Sequence, residues 1–286
     1  MIEGLHENAG TPAVSVILPA SNEAALIGAC LRALGASHWP HRNPVEVIVI
    51  ANGCRDDTAD RARAEAHAFA ARGWSLQVLE RARGGKTGAL NAGDAAARGA
   101  VRVYLDADVT VSPDLLAQIH AVLDTEVPRY ASGRVGISAR GWLSRGYARI
   151  WRQVPFMAQC VPGCGVFAVN AAGRARWGAF PDIISDDTFV RLTFTPADRL
   201  AVPASYDWPI AEGFGNLVRV RQRQDAGVAE IGARFPELLR NDDKPRPAPR
   251  HTLAMALRDP LGLAVYAGVA LAARLRPAPD GWSRGR

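Results

Sequence analysis

Between residue 14 and about residue 125, short apolar runs rich in β-branched side chains alternate with stretches of helical spacing, and this alternation restricts the fold more than any other feature. Val14–Leu18 (VSVIL), Val45–Ile50 (VEVIVI), Leu76–Leu79 and Val101–Leu105 (VRVYL) read as strands, each too short for a helix and several bounded by turn residues such as Pro19 and Asn52-Gly53. Between them, residues 22–34 carry apolar side chains at 26, 27, 30, 31 and 34, and residues from about 56 to 72 form a polar, Ala-rich helix. The Gly-rich loop 83–88 leads into a helix running to about Ala97, and Ser112-Pro113 reads as a cap followed by a first-turn proline. Repeated βαβ units predict an α/β fold with a mostly parallel sheet flanked by helices. Ligands of such sheets bind beyond the carboxyl ends of the strands. Ser21-Asn22-Glu23, Asn52, and Asp106 with Asp108 stand at those ends.

The second half is less regular. Residues 134–138 and 166–169 read as strands. Residues 143–154 read as an amphipathic helix with Leu143, Tyr147, Ile150 and Val154 on one face and Arg145, Arg149 and Arg152 on another. Residues 182–192 read as a loop entering a helix, and 241–250 (NDDKPRPAPR) as a charged, Pro-rich linker. Residues 253–275 are apolar but interrupted by Arg258-Asp259-Pro260. The clean stretch 261–273 is shorter than the roughly 20 residues needed to span a bilayer, so it is expected either to pack on the domain or to lie in a membrane interface.

With 286 residues, nearly half of them apolar, the chain suits one large α/β domain with at most a small appendage. The first ten residues have neither the apolar run of a signal peptide nor the composition of a transit peptide, which predicts a cytoplasmic protein, with association at the cytoplasmic face of a membrane left open. Its four cysteines (30, 54, 160 and 164) are then expected to be free thiols. The lone C-x3-C at 160–164 lacks the further ligands of a zinc site. A net charge of +6 favours anionic partners. The arginines are scattered rather than clustered, which argues against nucleic acid. Lys86 and Lys244 are the only lysines, and Lys86 sits in the Gly-rich loop.

Three stretches have the composition for chemistry. Asp106-Ala107-Asp108 directly follows a strand; two carboxylates so spaced can share a hard cation such as Mg²⁺ or Mn²⁺, or can simply close a turn through their own backbone. Asp186-Asp187, at a loop-to-helix junction, can provide a general base or serve as a cap that complements the helix dipole. The segment RGGKTGALNAG (83–93) offers backbone amides and one lysine to an anion. It lacks Walker A spacing, and no G-x-G-x-x-G follows the first strand, which argues against an NTPase or a simple dehydrogenase.

Taken in order, VSVILPASNE, VEVIVIANGCRDDTAD, GGKTGALNAG, YLDADV and ISDDTFVRL resemble the motifs of the family 2 glycosyltransferases, inverting enzymes of the GT-A fold, over about residues 13–225. The resemblance implies a GT-A domain over 1–240, with a donor half at about 13–125 and an acceptor half at about 126–240. The linker 241–250 and a C-terminal segment 251–286, apolar and helical before a polar tail, would follow. It further implies metal-assisted transfer of one sugar from a nucleotide-diphosphate sugar, a UDP- or GDP-sugar first of all, to an acceptor hydroxyl. On matching positions, Pro19, Ala20, Asn22, Glu23 and Asn52 would contact the nucleotide, and Lys86 the base or diphosphate. Asp106 would stand by ribose and metal, Asp108 would bind Mn²⁺ or Mg²⁺, and Asp187, beside Asp186, would be the base.

Two departures from the family pattern stand out. Ala51-Asn52 replaces a frequent Asp-Asp, and the stretch 220–224 keeps only Arg223 of the Q-x-x-R-W of processive synthases; Arg223 would contact the donor. The chain is therefore expected to be non-processive. Two alternatives accompany this reading: a non-catalytic nucleotide-sugar binding protein of the same fold, and a nucleotidyltransferase, which PASNEAAL after the first strand disfavours. The acceptor is unidentified, with a lipid-linked acceptor and a small glycan as its two expected forms. Trp142, Tyr147, Trp151 and Trp177 are either sugar-stacking platforms or core.

Overall fold

A computed structural model describes residues 10–245 and 248–275. The first half runs β1 (Val14–Ala20), α1 (Ile27–Gly35), β2 (Val45–Asn52), α2 (Thr58–Ala64), α3 (Ala66–Ala70), β3 (Ser75–Arg81), α4 (Lys86–Ala96) and β4 (Val101–Leu105). There follow β5 (Thr110–Val111), α5 (Leu115–Leu123), β6 (Tyr130–Ser138), α6 (Trp142–Trp151), α7 (Pro155–Gln159), β7 (Val166–Asn170) and α8 (Ala171–Arg174). The chain continues through α9 (Asp186–Thr193), β8 (Arg199–Pro209), α10 (Phe214–Arg234), α11 (Pro249–Arg258) and α12 (Pro260–Leu275).

The chain divides into two compact units. One comprises the residues up to Arg134 with Gly165–Asp182 and Val202–Tyr206; the other comprises Val135–Cys164, Ile183–Ala201 and the chain from Asp207 onward. The eight strands are ordered β3-β2-β1-β4-β7-β6-β8-β5. β1 pairs in parallel with β2 on one edge and β4 on the other, and β2 in parallel with β3. β7 then runs antiparallel to both β4 and β6. The α/β class expected from the alternation is therefore present, with its parallel part built from the four strands the sequence marks most clearly. β1 and β2 read as near-continuous apolar runs because they are covered on both faces: Val16, Ile17 and Leu18 are fully buried, as are Val47, Val49 and Ile50, whereas β3, at the edge of the sheet, is part-exposed.

Two helices differ from their expected bounds for visible reasons. The helix expected from residue 22 begins at Ile27, because the amides of Glu23 and Ala24 bond across to Thr58 Oγ1 (2.8 Å) and Asp56 Oδ2 (3.2 Å). The helix expected over 56–72 is divided at Glu65 into α2 and α3.

One polar knot lies within this apolar sheet. Glu46 on β2 is buried, and its carboxylate accepts from Ser15 Oγ of β1 (2.6 Å), the amide of Arg98 (2.6 Å) and Arg98 Nε (2.9 Å). It thus ties two strands to the loop between α4 and β4. Burial pushes the carboxyl upward in pKa, but the Ser15 and Arg98 hydrogen bonds and the Arg98 charge outweigh it and hold Glu46 below the usual glutamate range.

The second unit has its own core, where Ile137, Tyr147, Ala148, Leu217, Val218 and Val269 meet. Helix α12 is a wall of that core, so the stretch 261–273 packs on protein along one side. Among the described residues, no helix is long and apolar enough to cross a membrane.

A group with a depressed folded pKa stabilises the fold fully above its unfolded pKa, and that stability is lost as pH falls through the folded value. Glu46→Gln is therefore expected to lower stability at neutral pH by roughly 1–3 kcal/mol. Denaturant melts of the two proteins should converge as pH falls below about 4. A gap that stayed constant to low pH would exclude this role for the ionised carboxylate.

Candidate active site

The carboxyl ends of β1, β2 and β4 carry most of the residues singled out by sequence, and the loops leaving β1 and β2 are braced against each other. Asn22 adopts a positive φ of 51°, uncommon for a residue other than glycine, and its Oδ1 accepts the amide of Arg55 (2.6 Å). Asp56 receives hydrogen bonds from the Thr58 hydroxyl and from the amides of Ala24 and Thr58. Desolvation raises the pKa of the Asp56 carboxyl, but these bonds prevail and keep it below its ordinary range. The loop that leaves β1 after Pro19 and Ala20 and carries Asn22 and Glu23 is thus fixed by the start of the second crossover.

Asn52, at the end of β2, is only 4 % exposed. Its Nδ2 donates to the Gly85 carbonyl (2.8 Å), which fixes the glycine loop, while its Oδ1 is buried and accepts nothing among the described residues. A buried carbonyl left so is costly. Gly53 follows with φ of 60°, and a Cβ there would lie 2.9 Å from the Gly84 nitrogen. Only glycine allows the two loops to approach this closely.

Lys86 opens α4, and its ammonium lies 2.9 Å from Asp106 Oδ1. Asp106-Ala107-Asp108 leaves β4 with Ala107 buried and both aspartates half-exposed, so the carboxylates alternate away from the core. The segment is held by its backbone: the Asp106 amide donates to the Gly165 carbonyl (2.9 Å), and the Val109 amide to the Asp106 carbonyl (3.1 Å). Beneath it, the fully buried Cys30 thiol donates to the Asp106 carbonyl (3.8 Å). Burial, with the nearby Asp106 and Glu23 charges, pushes that thiol far above its ordinary pKa, so it stays protonated. All four cysteines are free.

Asn91, from the same glycine-rich motif, is a structural residue. It donates to the Phe180 carbonyl (3.0 Å) and accepts the Phe180 amide (2.7 Å), anchoring the segment that follows α8. Nothing in the local sequence marks this role, because the partner of the two-way side-chain bond lies 89 residues away.

In the other unit, Asp186 and Asp187 form the first turn of α9 and differ sharply. Asp186 is buried, at 3 % exposure, whereas Asp187 is half-exposed. Asp187 Oδ1 accepts the Thr188 amide (2.7 Å) and lies 3.4 Å from the Thr188 hydroxyl. The loop before α9 rests on α10: the Ile184 amide donates to Glu230 (2.9 Å), and a Cβ at Gly227 would collide with the Ser185 hydroxyl.

Of the arginines in the basic stretch 219–223 of α10, Arg221 pairs with Asp225 (2.9 Å) and approaches the Tyr266 hydroxyl (3.5 Å), and Arg219 bonds Asn216. Arg223 is half-exposed with no ion pair among the described residues. The aromatic candidates separate clearly. Tyr147 and Trp177 are buried, and Trp151 packs edge-on against Tyr147 and at a tilt against Trp208, so these three are core. Trp142 is 64 % exposed at the start of α6, beside the Arg140 and Gly141 amides that Glu212 caps.

A parallel sheet whose strand ends carry a D-x-D, a lysine-bearing glycine loop and a buried asparagine amide has the architecture of the GT-A fold. The chain belongs to glycosyl transferase family 2, whose family model it matches over residues 15–166. Glycosyltransferase AglE of Haloferax volcanii is 37 % identical over 98 residues, a match that covers 34 % of this chain and 31 % of that protein. Among solved structures, the mannosyltransferase PcManGT of Pyrobaculum calidifontis, in complex with GDP-Man and Mn²⁺, has a TM-score of 0.56 at 22 % identity, covering 94 % of this chain and 77 % of that one. Glucosyl-3-phosphoglycerate synthase of Mycobacterium tuberculosis, with Mn²⁺, UDP and glucosyl-3-phosphoglycerate, reaches 0.56 at 19 % identity over 80 % and 81 % of the two chains. TarS of S. aureus, residues 1–349 with UDP, reaches 0.51 at 14 % identity over 91 % and 89 %. At these identities the structural likenesses bear on the fold alone.

Because Gly53 combines positive φ with contact at Gly84, Gly53→Ala should displace the 84–85 backbone and cost roughly 1–2 kcal/mol. Thermal denaturation together with nucleotide titration would check it. The expected outcome is a folded but less stable protein with weakened nucleotide binding; unchanged binding would show that the loop contact does not shape the site.

Proposed function

We propose that this chain transfers a single sugar from a nucleotide-diphosphate sugar to an acceptor hydroxyl, with inversion at the anomeric carbon. The observation that carries the proposal is the meeting of Lys86, from the glycine loop, with Asp106 of the D-x-D, beside the buried Asn52. An ammonium, a carboxylate pair and an open amide carbonyl are the partners that a diphosphate, its cation and a base edge require.

In this reading Pro19, Ala20, Asn22 and Glu23 line the nucleotide, and Asn52 Oδ1 accepts an N–H from the base. Lys86 leaves Asp106 for the diphosphate as the donor enters, and Arg223 adds positive charge to it. Asp106 and Asp108 present only carboxylate oxygens, a donor set suited to Mn²⁺ or Mg²⁺. Among the described residues no group of three or more His, Cys, Asp or Glu side chains could hold a metal ion, so phosphate and water oxygens would complete the shell. When bound, the cation supplies charge neutralisation to the diphosphate leaving group.

Asp187 acts as the base. Its Oδ1 is occupied by the Thr188 amide, and Oδ2 accepts nothing among the described residues, which leaves one oxygen to take the acceptor proton. The acceptor oxygen forms its bond to the anomeric carbon as the bond from that carbon to the phosphate oxygen breaks, and the nucleoside diphosphate departs with the electron pair. Asp186, buried behind it, positions the turn rather than touching substrate. Exposed Trp142 is the aromatic available to an acceptor sugar or lipid-linked glycan.

Calorimetric titration with UDP-, GDP- and dTDP-sugars, with and without Mn²⁺, tests the donor half. One donor should bind in a cation-dependent manner, and Asp108→Asn should abolish that dependence. Asp187→Asn should keep donor affinity and lower turnover by about 10²-fold or more. Donor binding without turnover in the unaltered protein, across acceptors, would favour a non-catalytic nucleotide-sugar binding protein. Near-normal turnover in Asp187→Asn would exclude it as the base.

A further inference from the structure

Helices α11 and α12 leave an apolar surface uncovered on the second unit. Leu253, Leu257, Leu261, Leu271 and Leu275 are each 58 % exposed or more, an unusual density of free leucines on consecutive helices. On α12 they recur at helical spacing. Gly262, Val269 and Ala273 face the core, while Leu261, Ala264, Ala267, Leu271 and Leu275 lie on the other side. On α11, Met255 is the buried residue, and Leu253 and Leu257, four apart, share the exposed face.

Charge decides what this surface fits. Arg250, Arg258 and Arg274 are exposed along the same helices. The one carboxylate of the segment, Asp259, is taken up internally: it accepts from Arg149 Nε (2.7 Å) and caps α12 through the Gly262 amide (2.8 Å). On α6, which packs against α12, Arg145, Arg149 and Arg152 are exposed. Protein interfaces concentrate binding in aromatic side chains, and this face presents none; the aromatic residue of α12, Tyr266, turns inward against Tyr147. Leucines flanked by arginines, without a free carboxylate, suit the boundary between acyl chains and anionic headgroups, where arginines reach the phosphates and leucines enter the hydrocarbon. We propose that the exposed face of α11 and α12 docks this protein on an anionic lipid surface, with neither helix crossing the bilayer. This goes beyond the transfer reaction and does not depend on it.

Co-sedimentation of the full chain with vesicles tests the proposal, using phosphatidylcholine alone and phosphatidylcholine mixed with phosphatidylglycerol. The protein should pellet with the anionic vesicles only, and less so as salt rises. The triple variant Leu257→Ser, Leu271→Ser, Leu275→Ser changes only exposed side chains and should melt like the unaltered protein while losing roughly tenfold or more in partitioning. Arg258→Gln and Arg274→Gln should each weaken it about fivefold. Failure to pellet with anionic vesicles, or equal pelleting by the folded triple variant, overturns the proposal. So does light scattering that shows a dimer which the leucine variant dissolves, since the face would then be a self-interface. Donor titration of the same variants should be unchanged, so a failed donor assignment and a failed docking assignment remain distinguishable.

Discussion

The first unit depends on β1 being hydrogen-bonded in parallel along both edges. The register places Ala20 beside Ala51 at one carboxyl end and Ile17 beside Tyr104 on the other edge. The loops that leave β1, β2 and β4 therefore emerge together, and every candidate donor-site residue of this unit ends or follows one of those strands or opens α4. Parallel strands require crossovers, and crossovers place helix starts at the same end of the sheet. Lys86 at the start of α4 reaches Asp106 for this reason. The sheet does not hold this arrangement by apolar burial alone. Glu46 with Ser15 and Arg98 ties its amino-terminal side, and Asn22, Asp56 and Thr58 tie the loops at the other end.

The second unit solves a different problem, that of ordering α9 with few regular neighbours. Arg191, one turn beyond the aspartates, is fully buried against Phe156 and bonded to Asp242 and Asp243; Arg199 donates to Asp243 (2.8 Å) and to the carbonyls of Arg191 (3.0 Å) and Phe194 (2.7 Å). Buried guanidinium groups need several acceptors. The acidic start of the stretch 241–250, which by composition reads as a linker, supplies them. Asn241 adds a hydrogen bond to the Leu192 carbonyl (2.8 Å). Residues that look like a flexible connection thus hold the end of the helix that carries Asp186 and Asp187.

Several readings depended on periodicity and were bounded by what periodicity reports. β1, β2 and β4 were legible because burial leaves runs rich in β-branched residues, and the part-exposed edge strand β3 only as the short segment Leu76–Leu79. Strand β8 was not legible, since Pro203 and Pro209 interrupt it and its buried residues, Arg199, Val202 and Tyr206, include a guanidinium. The 21-residue α10 was visible only as its basic stretch 219–223, because few of its side chains are buried. Aromatic residues at helical spacing could not be sorted by sequence, as Trp142, Tyr147 and Trp151 all lie in α6 and differ only in what faces them.

The sequence by itself determined the α/β class, the parallel strands, and the placement of Asn52, Asp106 and Asp108 at strand ends, because these follow from local hydrophobic pattern and chain direction. Tertiary structure decided which groups remain available. Asn52 Oδ1 has no acceptor role filled while its Nδ2 is bound, Asp187 is open where Asp186 is buried, and α12 has one packed side and one leucine side. Those distinctions arise from contacts between residues far apart in the chain, such as Asn52 with Gly85 and Asp259 with Arg149. Local pattern carries no record of such contacts, since the same side chain is a ligand, a cap or a core residue according to which distant neighbour meets it.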